Sequence, residues 1–361
     1  MLTLGFETSC DETACAIVRD GKHVLSNAIA TQTELHEGYG GVVPEIAGRA
    51  HVERLIPVLR RAIAEAGVTM KDIDAVAVGH RPGLIGSLLV GVCAAKAAAL
   101  ALGVPLVGVD HVQAHLVAGT LDIDQDPPMP ALGLVVSGGH TAMYLVPSLT
   151  QAARIGTTRD DAVGEAYDKA ATILGLPYPG GPRLDTLAQE PGADPYAVEF
   201  PVSRLEAGSL DFSFSGLKTA VLYAVRGVPA RKGSGGPPPP PAPPPLTDER
   251  VRDLAASFQR AACHALMLKM GRALDALSDQ GIGCRSILAG GGVTANSRLR
   301  KELAALAGER SLELRVPAMG YCLDNAAMIA ALGARRLMAG EHDDLTLRAH
   351  PSSAIEPMAA L

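Results

Sequence analysis

Short apolar runs recur along the chain, and two pairs of them flank a brief polar turn. Leu2 to Phe6 and Ala14 to Val18 enclose Glu7-Thr8-Ser9-Cys10-Asp11-Glu12-Thr13. Far downstream, Leu132 to Val136 and Ala142 to Val146 enclose Ser137-Gly138-Gly139-His140-Thr141. Each pair predicts a strand–turn–strand hairpin, the first tipped with hydroxyls and carboxylates, the second rich in glycine. After the first hairpin the spacing predicts an amphipathic helix from about Glu45 to Ala66, with Ile46, Leu55, Ile56, Leu59 and Ile63 on one face. Arg49, His51, Arg54, Arg60 and Arg61 fall on its polar side, and Pro57 is expected to kink or split it. A strand at Ala75 to Gly79, a small-residue helix start at Pro82 to Ser87 and a strand at Val104 to Val109 follow, with Asp110 as the cap of the next helix.

The second half repeats the plan with additions. A helix opens within Arg159 to Lys169, with Glu165 and Asp168 on one face. Pro177 to Pro182 reads as a loop, Asp185 as the beginning of the next helix, and Asp211 to Thr219 as a polar loop. A helix capped by Thr247 runs to about Leu277, then a strand at Ser286 to Ala289 meets the Gly290-Gly291-Gly292 turn. The pattern predicts an α/β fold of two similar lobes, residues 1–130 and 131–340, facing each other across a cleft, with a tail at 341–361. Residues 228–246 break the pattern, because a Gly-Ser run followed by polyproline forms neither helix nor ladder; a solvated surface insert is expected there.

Composition narrows the functional classes. The 361 residues suffice for two domains, and with no Trp and 3% aromatics the core must be built from Ala, Val, Leu and Ile. A net charge of −6 gives no global basic signal, so a nucleic-acid contact has to come from a local patch. Six scattered cysteines without a C-x-x-C pair fit a reducing compartment. The start carries no basic n-region, and the apolar stretch Leu84 to Val109 is broken by Lys96, glycines and Pro105. It reads as a buried helix and strand, so a soluble cytoplasmic protein with no membrane span is expected.

The candidate chemistry lies at the helix starts. His111 and His115 stand at i and i+4 in the first turns of one helix, a spacing that suits a single divalent ion and equally suits two unrelated histidines. Asp324, also placed where a strand gives way to a helix, supplies a third ligand type. Helix starts at the ends of parallel strands converge on one crevice in open α/β sheets, and a set of two His and one Asp leaves coordination positions free. The hydroxyl- or Gly-rich hairpin tips suit phosphate contact, since glycines let backbone N–H groups approach the oxygens. The Gly290 to Gly292 turn suits a planar ring or a phosphate, with Asn296 in contact. Asp168 and Asp185, flanking a Gly-rich loop, suit ribose or substrate hydroxyls and are equally ordinary N-terminal helix acids.

These residues together resemble the bacterial tRNA N6-adenosine threonylcarbamoyltransferase family. The marks are Glu7 to Thr13, Gly38 to Glu45, His111-x-x-x-His115, Val136 to Thr141, Gly164 to Lys169, Pro179 to Pro182, Phe212 to Lys218, Gly290 to Asn296 and Asp324-Asn325. The resemblance implies an actin-like, sugar-kinase-like fold of two ribonuclease-H-like lobes. It implies transfer of threonylcarbamoyl from threonylcarbamoyl-AMP to N6 of the adenosine 3′ to the anticodon, in tRNAs reading ANN codons. By matching positions it implies a metal on His111, His115 and Asp324, Fe2+ first and Zn2+ second. Substrate contacts are implied for Val135, Val136, Ser137, Gly138, Gly139, Asp168, Gly181, Asp185 and Asn296, with ATP or ADP able to take the same cleft. Implied partners are tRNA, a paralogous actin-like subunit, a small ATPase subunit and an upstream threonylcarbamoyl-AMP synthase. The sequence itself names no general base; Asp11 and Glu12 are the candidates. His80-Arg81-Pro82-Gly83 stands where the family carries Gly-Pro-Gly.

Other classes remain in view. A zincin needs Glu where this chain has Val112, which argues against a metallopeptidase. An actin-like regulatory subunit would keep the glycine turns without needing the three ligands, and a sugar or acetate kinase would need an acceptor pocket with an Asp base.

Overall fold

A computed structural model describes the chain except residues 40, 203–204, 207, 229–242 and 359–361. In the first lobe β1 (Leu2–Glu7), β2 (Glu12–Arg19), β3 (His23–Thr31), β4 (Ala75–Arg81) and β5 (Leu106–Asp110) form one sheet in the order β3-β2-β1-β4-β5. Helices α1 (Thr33–His36), α2 (Pro44–Ala66), α3 (Ile85–Leu102) and α4 (His111–Ala118) connect and follow these strands. The hairpin pairs antiparallel and the later strands parallel, Leu4 against Ile17 and Phe6 against Val78.

The second lobe repeats this plan with β6 (Ala131–Val136), β7 (Thr141–Ser148), β8 (Gln151–Thr157), β9 (Ser286–Gly290) and β10 (Glu313–Arg315). Its order, β8-β7-β6-β9-β10, is the same sequence of pairings. Between β8 and β9 stand α5 (Val163–Ile173), α6 (Gly180–Ala188), α7 (Ser215–Arg226) and α8 (Asp248–Asp279); α9 (Ser297–Glu309) precedes β10 and α10 (Ala326–Met338) closes the pattern. These added helices share a core of Tyr167, Phe212, Phe214, Leu254 and Phe258, where each fully buried large apolar side chain contributes about 1.5–3 kcal/mol.

The two lobes exchange their last helices. Helix α10 packs on β1, β2 and β4 of the first sheet, its Ala326 to Leu332 buried among Ala14, Ala16, Ala77 and Val109. Helix α4 lies against β6 and β9 of the second sheet, with Val112 and Leu116 buried among Ala131, Val135 and Leu288. A glycine seats each one. At Gly5 a Cβ would collide with the Ala326 carbonyl, and at Gly133 it would come within 2.7 Å of the Leu116 Cδ2. The sequence division at residue 340 therefore assigns α10 to the lobe whose sheet it does not cover.

The tail straps both lobes. Asp343 bridges to Leu106 beside β5, and Pro357 bridges to Arg154 of β8.

Several expectations from the sequence need correction. Helix α2 runs unbroken through Pro57; the carbonyl the proline leaves unpaired, on Glu53, lies on the solvent face, where water can satisfy it. Ile56 is exposed, while His51, placed on the polar face, is fully buried and bonds to the Cys10 carbonyl and Thr13. Helix α6 begins at Gly180 instead of Asp185, and Lys218 belongs to α7 rather than to a loop. Helix α3 is only half covered: Leu88, Val92 and Ala95 face the sheet, whereas Ile85, Leu89 and Leu100 are exposed. Among the described residues it is long and apolar enough to cross a membrane. The insert expected at 228–246 falls largely on 229–242, outside the described residues.

Candidate active site and metal centre

The exchange of helices brings the candidate ligands together. His111 is the first residue of α4, whose cap Asp110 ends β5; Asp324 lies just ahead of α10, whose cap is Asn325. The two helices touch, so an element leaving each sheet contributes to one point between the lobes. The Nε2 atoms of His111 and His115 lie 3.4 and 3.2 Å from Asp324 Oδ1, and the two rings stand edge-to-face at 4.7 Å. One donor atom from each of the three residues falls within 4.8 Å of the others.

Two observations test whether these residues suit a cation. Among the described residues, neither ring nitrogen of His115 has a hydrogen-bond partner, although the ring is fully buried. A buried imidazole whose Nε2 faces only a carboxylate, 3.2 Å away, offers that one nitrogen to a divalent ion. His111 is also held from behind: its Nδ1 lies 3.0 Å from Glu7 Oε2 and 3.2 Å from Ser9 Oγ. With Nδ1–H donated to Glu7, the Nε2 lone pair is directed toward Asp324, the arrangement that orients metal-ligating histidines. The set fits a metal.

Without a cation, the two carboxylates set the charge on the histidines. Burial works against charge on His111, but Asp324 and then Glu7 outweigh it and hold its pKa well above the histidine range. Burial also opposes the Asp324 charge, yet His111 and His115 hold that carboxyl well below its usual value. Burial and the neighbouring His111 lower His115. Burial first, then His111 and His115, bring His140 down to about 4. Burial, Asp324 and Asp11 push the Glu12 carboxyl up to about 10.

The remaining candidates sort by lobe. Ser137 turns the second hairpin, its Oγ accepting from the His140 amide, and Val135 and Val136 are buried in β6 behind it. Gly138 and Gly139 face open space. Asp168 Oδ1 accepts from the Gly180 amide at 2.8 Å, which ties α5 to the turn containing Gly181. Asp185 accepts from Ser297 Oγ at 2.7 Å and from Gln259 Nε2 at 3.0 Å. Asn296 caps α9 through the Leu299 amide and donates to Gln259 Oε1 at 2.8 Å. Both Asp185 and Asn296 are thus held by protein partners. The Gly290 and Gly291 backbones are pressed against the carbonyls of His115 and Val136, so close packing alone already requires them.

Three residues escaped the sequence reading. Glu7 was seen only as part of a polar turn, although a carboxylate ending an apolar strand was a usable signal. Tyr178, in the stretch just ahead of α6, is pushed up to about 12 by burial and by Asp11, Asp168 and Glu12. His140 was quoted without a role. Arg81 donates from Nε to His80 and lines a polar cavity of about 490 Å3 under the tail, which none of His111, His115 or Asp324 lines.

Known proteins carry the same plan. Residues 23–331 match the TsaD family, tRNA N6-adenosine threonylcarbamoyltransferase. The enzyme of that name from Anaeromyxobacter dehalogenans (strain 2CP-1) is 49% identical over 352 residues, covering 97% of this chain and 98% of its own. That from Protochlamydia amoebophila is 48% identical over 333 residues, 92% of each chain. Among solved structures, T. kodakarensis HypF superposes with a TM-score of 0.55 at 15% identity, over 96% of this chain and 49% of that one. Component A of (R)-2-hydroxyglutaryl-CoA dehydratase from Acidaminococcus fermentans gives 0.50 at 14% identity, over 94% and 99%. At such identities these two speak for the shared actin-like, sugar-kinase-like fold alone. The near-half identity that runs end to end in the relatives, together with the family match, decides the function: the chain belongs to the tRNA N6-adenosine threonylcarbamoyltransferases and is a transferase that modifies tRNA.

Proposed function

We propose that this chain binds one divalent metal through His111, His115 and Asp324, Fe2+ in preference to Zn2+, and passes threonylcarbamoyl from threonylcarbamoyl-AMP to N6 of the adenosine 3′ to the anticodon. The observation that carries the metal reading is His115, fully buried, with its Nε2 3.2 Å from Asp324 and in line with His111 on the same carboxylate oxygen. Two His and one carboxylate with open positions suit a non-haem Fe2+. When bound, the ion supplies a Lewis acid for the carbamoyl oxygen.

The chain's own residues do the rest. Glu7 and Ser9 keep His111 in the ligating tautomer. The Val135 to Gly139 turn, with Gly138 and Gly139 open, holds the phosphate by backbone N–H groups. Asp168 and Gly181 meet the ribose, and Asp185 with Asn296 braces the turn beneath the adenine. The adenosine amine is a poor nucleophile, so alignment between the lobes supplies much of the rate.

The exposed apolar face of α2 and α3, with Val52, Ile56, Ile85, Leu89 and Leu100, suits a paralogous actin-like subunit docking by its own helices. A small ATPase subunit and an upstream threonylcarbamoyl-AMP synthase complete the system, in the cytoplasm. The test is reconstitution with these helpers, threonine, bicarbonate, ATP and unmodified tRNA. Mass spectrometry of the released nucleosides should show threonylcarbamoyladenosine only when this chain is present. Full yield without it sinks the proposal.

A further inference from the structure

The tail from Asp343 to Met358 is stitched to the first sheet, then to the second, and its midpoint meets the residue that caps α4. The Asp343 amide donates to the Leu106 carbonyl at 2.8 Å, and the His350 amide to the His80 carbonyl at 2.9 Å. At the far end the Arg154 amide donates to the Glu356 carbonyl at 2.9 Å and the Met358 amide to the Arg154 carbonyl at 2.8 Å. Between them stands Asp110, almost fully buried, with both carboxylate oxygens in use. Oδ1 accepts from the Val112 and Gln113 amides, at 3.0 and 3.3 Å, and so closes the first turn of α4. Oδ2 accepts from Ser353 Oγ at 2.6 Å and from the Ala354 amide at 3.1 Å. Ile355 packs on the cluster that includes Val112 and Leu116.

We propose that Ser353 and the Ala354 amide, acting through Asp110, are positioning groups for the metal centre: the strap fixes the first turn of α4, and with it the direction of His111, relative to both lobes.

The chemistry follows from the carboxylate. An Asp fixed only by the two α4 amides is free to swing about its side-chain torsion, and the helix start moves with it. Two further donors from a segment anchored in both sheets remove that freedom. His111 follows directly in sequence, and its ring is clamped between Glu7 behind and Asp324 in front, so a small tilt of the first turn misaligns Nε2. Groups beyond the ligands commonly change metal affinity by about 10–100-fold.

The proposal rests on the metal reading above, and the experiment separates the two. Co2+ is titrated into metal-free full-length protein, following its visible absorption, for wild type, His111→Ala, Ser353→Ala, Ser353→Thr and Thr346→Ala. Thr346 is an exposed strap residue whose amide and hydroxyl both donate to Asp344, so its change perturbs the strap away from Asp110. We expect wild type to bind, His111→Ala to lose the bands, and Ser353→Ala to bind about tenfold more weakly with shifted bands. Ser353→Thr, which keeps the hydroxyl, and Thr346→Ala should match wild type. No binding by wild type overturns the metal reading and the strap role with it. Unchanged affinity and spectrum in Ser353→Ala, or equal weakening in Thr346→Ala, overturns the strap role alone. Melting temperatures of all five proteins are recorded alongside, and a shift in Ser353→Ala without a spectral change counts against the proposal.

Discussion

The two lobes share a strand order and a hairpin at the head of each sheet, yet their hairpin tips have opposite chemistry. The first tip is carboxylate-rich, and its Glu7 is sealed behind His111; the second, Ser137 to His140, is uncharged in this state and open at Gly138 and Gly139. One topology therefore holds a histidine from behind on one side and leaves backbone in open space on the other. Exchange of the last helices is what brings His111 and Asp324 to one place, because α4 and α10 each leave one sheet and pack on the other.

The largest effect should come from the point where the exchanged helices meet. Asp324→Ala or His111→Ala should lower threonylcarbamoyladenosine formation by 100-fold or more, as roughly expected when a ligand to a catalytic ion is lost. Metal content by elemental analysis should fall with it, while the circular dichroism stays native. Equal metal content in His111→Ala would break the assignment. Next in size, Glu7→Gln should weaken metal binding about 10–100-fold by removing the charged acceptor behind His111. Ser137→Ala, in the corresponding tip, should leave metal affinity unchanged and raise the KM for the adenylate. If Ser137→Ala alters metal affinity as much as Glu7→Gln, the division of labour between the tips is wrong.

How much of this was legible in the sequence follows the range of the forces involved. The hairpins, the Asp110 cap and the His111/His115 pair are local patterns, and they stand where the pattern put them. Asp324 as a third ligand type was a long-range guess from chemistry, and the structure does bring it to the histidines. The role of Glu7 was hidden, because one buried carboxylate in an apolar strand does not say which residue, 104 positions away, it will face. That α10 covers the first sheet was not legible, because a run of Ala326 to Ala331 fits any close-packed surface; the seat at Gly5 decides, and no periodicity shows it. His51 was read as solvated because an imidazole among arginines looks polar, while its partners Thr13 and Gln32 lie outside the helix.

The glycine seats sharpen the comparison of the lobes further. At Gly5 an added Cβ meets backbone of α10, which cannot yield, whereas at Gly133 it meets the far end of Leu116, which can rotate. Gly5→Ala should therefore destabilise by about 3 kcal/mol and Gly133→Ala by about 1 kcal/mol, the two ends of the usual overpacking range. Denaturant midpoints at constant slope would measure both, and the reverse order would show that α10 is the more adaptable helix. Slightly smaller is Asn296→Ala, which removes the α9 cap at a cost of about 1 kcal/mol. Because both side-chain groups of Asn296 are already engaged by Leu299 and Gln259, its effect on adenylate affinity should not exceed its effect on stability.

The smallest expected effect concerns what one lobe has and the other lacks. The connection from β3 to β4 is essentially the single long helix α2, whereas that from β8 to β9 contains α5 to α8 and the Pro-rich stretch between α7 and α8. The two described ends of that stretch already meet: a Cβ on Gly227 would lie 3.2 Å from Pro243 Cδ. Replacing residues 229–242 with a short Gly-Ser bridge therefore closes a gap the fold has closed already. The composition of the deleted piece offers almost nothing to bury, and shortening a loop changes its closure entropy by only about 0.6 kcal/mol per halving. The melting temperature should move by no more than a few degrees, upward if at all, and tRNA modification should proceed at the wild-type rate. Insoluble protein, or a modification rate reduced tenfold with the melting temperature unchanged, would mean that these residues serve the second lobe in a way that α2 does not serve the first.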